Sequence, residues 1–183
     1  MAKTSVQPEG PCRSRLIVFD LDGTLVRSTV DFVKLKLETI RLLNDLGFQT
    51  KNLSEKMKTY EIMEWVRKKA ECRGLDYQQI TSKIAEVWNS IELKEVDKTE
   101  AMPGANAVLS ELRNRGFLIG VVTRGCHIYA VRALEAAGLL RYVNIVLGRD
   151  DTCNPKPDPE PLLCAMSMFN AKPSEVVMVG DSM

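Results

Sequence analysis

The first clear pattern along the chain is an apolar run with no polar interruption. Arg15 to Phe19 reads R-L-I-V-F and stops at Asp20, which predicts a short strand buried on both faces with Asp20 at its carboxyl end. From Ser28 the period becomes helical. Ser28 and Asp31 are spaced as a capping box, and Val33, Leu37, Ile40 and Leu43 recur three to four residues apart, which predicts a helix that closes at Gly47. A second helix is predicted after a Ser54 cap, carrying Met57, Ile62, Met63 and Val66 as far as Gly74, with basic residues Arg67 to Lys69 in its final turns. A third follows Asp76, with Ile80, Ile84, Val87 and Ile91 on one stripe and Trp88 beside them.

After Lys98 the rhythm alternates between strand and helix. A helix is predicted after Pro103, with a break at Gly116 and a strand over Phe117 to Val122. A helix through Tyr129 to Ala137 follows, then a strand over Val143 to Leu147, a helix over Pro159 to Phe169 and a last strand over Glu175 to Val179. Alternation of this kind implies an α/β fold with a parallel sheet flanked by helices and right-handed crossovers. Three consecutive helices without a strand interrupt it. The expected organisation is therefore a loose arm over residues 1–14, an α/β core over 15–26 and 98–183, and an inserted helical cap over 27–97.

Composition narrows the range of partners. The 25 basic and 24 acidic residues leave a net charge of +1, so no long-range field favours nucleic acid or an acidic membrane, and a small soluble substrate fits better. Cys12, Cys72, Cys126, Cys153 and Cys164 are odd in number and form no C-x-x-C pair, as expected of reduced thiols in a cytosol-like compartment. No apolar run is long enough to cross a bilayer, and the first residues carry no secretory h-region, so a cytoplasmic, unexported protein is expected.

Chemically useful groups collect at the predicted strand ends: Asp20 and Asp22, then Thr123, then Lys156 in a loop before a helix, then Asp181. In an open parallel sheet the carboxyl ends of the strands form the ligand crevice, so these residues should converge. A few carboxylates facing one another supply hard oxygen ligands and suit magnesium, whereas Cys/His spacing suited to zinc is absent from the sequence.

These residues carry a family resemblance. D-L-D-G-T-L at Asp20 to Leu25, then Thr123, Lys156 and G-D-S at Gly180 to Ser182 resemble the four motifs of the haloacid dehalogenase superfamily, in the same order and strand context. The insertion after the first motif resembles the helical cap of its phosphoglycolate-phosphatase-like branch. The resemblance implies a magnesium-dependent phosphomonoester hydrolase in which Asp20 attacks phosphorus and forms an aspartyl phosphate. It implies that Asp22 protonates the leaving alkoxide and then activates water. Thr123 would donate to a phosphoryl oxygen, and Lys156 would neutralise charge around nucleophile and phosphate. Magnesium would be held by Asp20, Asp181 and the backbone carbonyl of Asp22.

Other residues are candidates for lesser roles. Arg124 departs from the small polar residue often found after the second-motif Thr; its guanidinium either clamps a second anionic group on the substrate or faces solvent. His127, the only histidine, reads as a surface residue at a helix start, and the stripe around Trp88 reads as core. The family pattern continues past Asp181 with a further acidic residue, strand and helix, so the C-terminal end of the core is expected to be missing from a chain that stops at Met183, with weakened magnesium binding or activity. A phosphomutase uses the same two aspartates, and a non-catalytic binding protein is the alternative from another class. Dehalogenation is disfavoured because Asp22 is a proton donor that only phosphate esters need.

Overall fold

Leu16–Phe19 forms β1 at the centre of the sheet, with all four side chains buried. The computed structural model describes residues 15–181; the expected arm over 1–14, Cys12 and the Ser182 end of the last motif lie outside them. Leu118–Val122 (β4) pairs parallel on one side of β1 and Val176–Val179 (β6) on the other, and Ile145–Leu147 (β5) extends the sheet beyond β4. The order is β5-β4-β1-β6, all parallel.

The register explains why the sequence alternates as it does. Ile17, Phe19, Ile119 and Val121 face one side and pack with Leu109, Ala130 and Leu134, whereas Leu16, Val18, Ile145 and Leu147 face the other with Ala165. Leu109 belongs to α4 (Ala105–Asn114), Ala130 and Leu134 to α5 (His127–Ala136), and Ala165 to α6 (Glu160–Met168). Both faces of the strands are thus covered, and successive residues alternate between two cores. The edge strand β6 is the exception, for its Val177, Met178 and Val179 are exposed.

Between β1 and β4 the chain makes its helical excursion through α1 (Phe32–Asp45), α2 (Thr59–Arg73) and α3 (Tyr77–Glu92). A two-stranded antiparallel ribbon joins its two ends, β2 (Val26–Arg27) pairing with β3 (Glu100–Ala101). Each strand is two residues long, too short for alternation to register in the sequence. Two expected caps are corrected. Asp31, not Ser28, caps α1 by accepting from the Lys34 N–H at 2.8 Å, because Ser28 Oγ is engaged with Tyr129 Oη. The Ser54 cap fails because residues 50–58 lie outside any helix, with turns at 51–52 and 55–56 and Leu53 buried, and α2 starts at Thr59, where Glu61 accepts from the Lys58 N–H at 2.6 Å. On α3 the buried positions are Ile80, Ile84, Trp88 and Glu92. The stripe runs at i+4 through Trp88 and ends on a carboxylate. Among the described residues no helix is long and apolar enough to cross a membrane.

Candidate active site

Parallel register places the strand ends level. Phe19 pairs with both Val121 and Val179, so Asp20, Thr123 and Asp181 leave the sheet at the same rim, and the Asp20 N–H donates to Val179 O at 2.8 Å. The rim opens into a cleft of about 420 Å³ between Asp20, Lys156, Asp158, Leu162, Met178 and Gly180.

Lys156 reaches that rim from the loop before α6. Its Nζ lies 2.9 Å from Asp20 Oδ1 and donates to Val122 O at 3.1 Å. Both side chains are largely buried, 23% and 11% exposed, which places this pair where Coulomb attraction is less screened than at a surface. Pro155 and Pro157 hold the backbone on either side.

Asp22 has different company. Tyr129 Oη donates to Asp22 Oδ1 at 2.5 Å and lies 3.0 Å from Ser28 Oγ. Burial pushes the Asp22 carboxyl above the usual range, against the opposing pull of hydrogen bonds from Tyr129 and Ser28, with Asp20 and Glu92 adding a smaller upward push. Burial also raises the Tyr129 phenol, so it stays a donor. The sequence reading missed both Tyr129 and Ser28. A buried aromatic on an apolar helix reads as core, and its partners lie 107 and 101 residues away. Gly125 is what admits it, since a Cβ there would meet the Tyr129 ring at 2.5 Å.

Thr123 is buried and its Oγ1 accepts from the Gly125 N–H at 3.1 Å, which leaves the hydroxyl proton available to donate. The next amides are committed: Cys126 N–H to Glu92 Oε2 at 3.1 Å and His127 N–H to Asp150 Oδ1 at 2.7 Å. The Arg124 N–H has no acceptor among the described residues, while the Arg124 side chain is exposed. His127 is exposed and pairs with Asp151 at 2.7 Å.

Asp181 meets the first turn at Gly23. With φ at +79°, Gly23 brings its backbone so close that an added Cβ would lie 2.5 Å from Asp181 Oδ2. No group of three or more His, Cys, Asp or Glu side chains forms a metal cluster among the described residues, so a cation would rest on two carboxylates and main-chain oxygen. Hard oxygen donors of that kind suit magnesium, which keeps several of its waters. The cradle that glycine leaves open beside Asp181 fits such an ion. So does Thr24 Oγ1, which is buried with no partner among the described residues, as happens where an ion or ligand completes the hydrogen bonding.

The chain is similar to known proteins along most of its length. A phosphoglycolate phosphatase of Nitrosospira multiformis is 31% identical over 179 residues, covering 94% of this chain and 77% of its own length. A pyrophosphatase, PpaX, of Halalkalibacterium halodurans is 28% identical, covering 91% and 74%. Among solved structures, a HAD-superfamily hydrolase from Ehrlichia chaffeensis superposes with a TM-score of 0.56 at 23% identity, over 93% of this chain and 80% of that one. Another, of subfamily IA variant 1 from Geobacter sulfurreducens, has a TM-score of 0.53 at 23% identity, over 92% and 80%. The sequence profile of haloacid dehalogenase-like hydrolases matches residues 17–183. With that match and an α/β core of the same architecture, the chain belongs to the haloacid dehalogenase-like hydrolase family.

Proposed function

We propose that the protein hydrolyses a small phosphomonoester through an aspartyl phosphate on Asp20, with phosphoglycolate-like acids as the leading substrate class. The observation that carries this is the 2.9 Å contact of Lys156 Nζ with Asp20 Oδ1 on the rim that Thr123 and Asp181 also occupy. The substrate class draws support from relatives named phosphoglycolate phosphatase; relatives named pyrophosphatase keep a phosphoanhydride in the test panel. Residues 15–26 and 98–183 would act as the core and 27–97 as a cap over the crevice.

Lys156 holds one oxygen of Asp20, and the other is the attacking atom. A carboxylate needs no base to act as nucleophile at neutral pH. Thr123 Oγ and the Arg124 N–H donate to phosphoryl oxygens, and Lys156 offsets the charge gathered there. Asp22 carries the proton for the leaving alkoxide, and the burial that raises its carboxyl is what a general acid needs. It takes a proton back from the water that opens the aspartyl phosphate. Asp20, Asp181 and the Asp22 carbonyl would hold magnesium, which supplies charge neutralisation between anionic nucleophile and anionic substrate.

The test is phosphate release from a panel of phosphorylated acids, sugar phosphates and pyrophosphate with magnesium, run beside Asp20→Asn. Release by wild type alone supports hydrolysis. Equal release by both proteins, or an isomerised sugar phosphate without inorganic phosphate, sinks the reading.

A further inference from the structure

The apolar stripe of α3 ends on Glu92, which is 4% exposed. A buried carboxylate needs a partner, and this one has a two-toothed one. Arg149, in the loop after β5, meets Glu92 Oε1 at 2.7 Å and Oε2 at 3.0 Å, while its guanidinium lies over the Trp88 ring, 5.1 Å from the centroid. Asn89 Oδ1 accepts from the same guanidinium. The arginine and glutamate side chains are 11% and 5% exposed.

What this pair holds is the loop that begins at Thr123. Arg149 Nη1 donates to Arg124 O at 2.8 Å, the Arg149 N–H donates to Gly125 O at 2.9 Å, and Glu92 Oε2 accepts from the Cys126 N–H at 3.1 Å. Three consecutive residues of the loop are thereby tied to it. The adjoining Arg124 N–H and Thr123 hydroxyl keep their donors for something else.

From this geometry we infer that Glu92 and Arg149 are positioning residues: they fix the 123–126 loop so that its donors meet the phosphoryl group, and through α3 they fasten the helical insertion to that loop. The inference rests on the proposed phosphatase reading. A buried ion pair is a poor source of net stability, because apolar side chains of similar volume in its place are often neutral or stabilising. Bidentate guanidinium–carboxylate geometry instead fixes direction.

The test is a double variant, Glu92→Leu with Arg149→Met, examined by thermal melting, by steady-state kinetics on p-nitrophenyl phosphate and by calorimetric titration with inorganic phosphate in magnesium buffer. The expected result is a folded protein whose KM and phosphate Kd each rise about fivefold while kcat changes less than about twofold, the signature of lost binding rather than lost active fraction. Loss of folded protein would lower kcat and leave KM alone. Arg132→Ala, which removes the exposed pair with Asp97, should leave all three measurements unchanged. Wild-type KM and phosphate affinity in a folded double variant overturn the inference. If the double variant does not fold, Glu92→Gln decides: a weakened phosphate Kd upholds it and an unchanged one overturns it. If wild type binds phosphate but releases none from esters, the catalytic reading fails while the phosphate titration still judges the positioning role.

Discussion

Asp20 and Asp22 stand two residues apart on one turn, yet they face opposite kinds of neighbour. Asp20 looks toward a cation, Lys156, at the mouth of a cleft. Asp22 looks toward two hydroxyls, Tyr129 and Ser28, in a drier wall formed by α5 and the start of the insertion. The same side chain is therefore prepared for two jobs by its surroundings. Lys156 fixes one oxygen of Asp20 at the cleft and leaves the other to attack, while burial raises the Asp22 carboxyl, the direction a proton donor needs.

The harshest way to break the comparison is to remove each carboxylate in turn. Asp20→Asn deletes the bond-forming atom and should lower kcat by roughly 10⁴ or more, as loss of a covalent nucleophile does. Asp22→Asn removes only proton transfer, and a loss of about 10²–10³ is expected on an alkyl phosphate, less on p-nitrophenyl phosphate, whose leaving group needs no proton. Equal losses would mean that the two groups act as one unit.

Stability should separate them further. The folded carboxyl of Asp22 lies above its ordinary value, so its ionisation costs the folded state stability. That cost is absent below the unfolded value of about 3.9 and grows as pH rises toward the raised folded value. Asp22→Asn has no such group to ionise. Its melting temperature should gain on wild type between pH 4 and pH 7, as differential scanning fluorimetry across that range would record. A gap that narrows with rising pH would contradict the burial argument.

Tyr129→Phe takes away the donor to Asp22 Oδ1 together with the contact to Ser28 Oγ, and leaves the ring in place. A tenfold loss in kcat, about 1.4 kcal/mol, is expected because a hydrogen bond to an ionisable group is worth roughly that much. KM should stay put, since Tyr129 is not among the proposed phosphate donors. An unchanged kcat would make Tyr129 a packing residue.

How legible was this from the sequence? Asp20, Thr123, Lys156 and Asp181 could be placed because each follows an apolar strand or lies in a loop at its end, and a parallel sheet sends such ends to one rim. Tyr129 and Glu92 could not. An aromatic at a helix start reads as core and a charged residue ending an apolar stripe reads as solvated, since local patterns record exposure and not the partner supplied from 107 or 57 residues away. Ser28 was misread for a related reason: its spacing to Asp31 fits a cap, but the tertiary bond to Tyr129 competed for the same hydroxyl. The β2–β3 ribbon was lost to brevity.

The smallest expected effect is a chemical one on Cys126, and it probes the wall behind Asp22 without touching activity. Cys126 precedes α5, is 1% exposed, and burial pushes its thiol up to about 11. The attacking species in alkylation is the thiolate, so at pH 8 only about one thiol in a thousand would be ionised at that value. Cys72 and Cys153 are exposed. Peptide mapping after brief iodoacetamide treatment should find those two labelled and Cys126 untouched until the protein unfolds. Burial also raises Asp22, and Tyr129 touches both groups, its Oη donating to Asp22 and its backbone N–H to the Cys126 thiol. Rapid labelling of Cys126 in folded protein would mean that water reaches this wall, and the difference drawn between the two aspartates would then lose its physical cause.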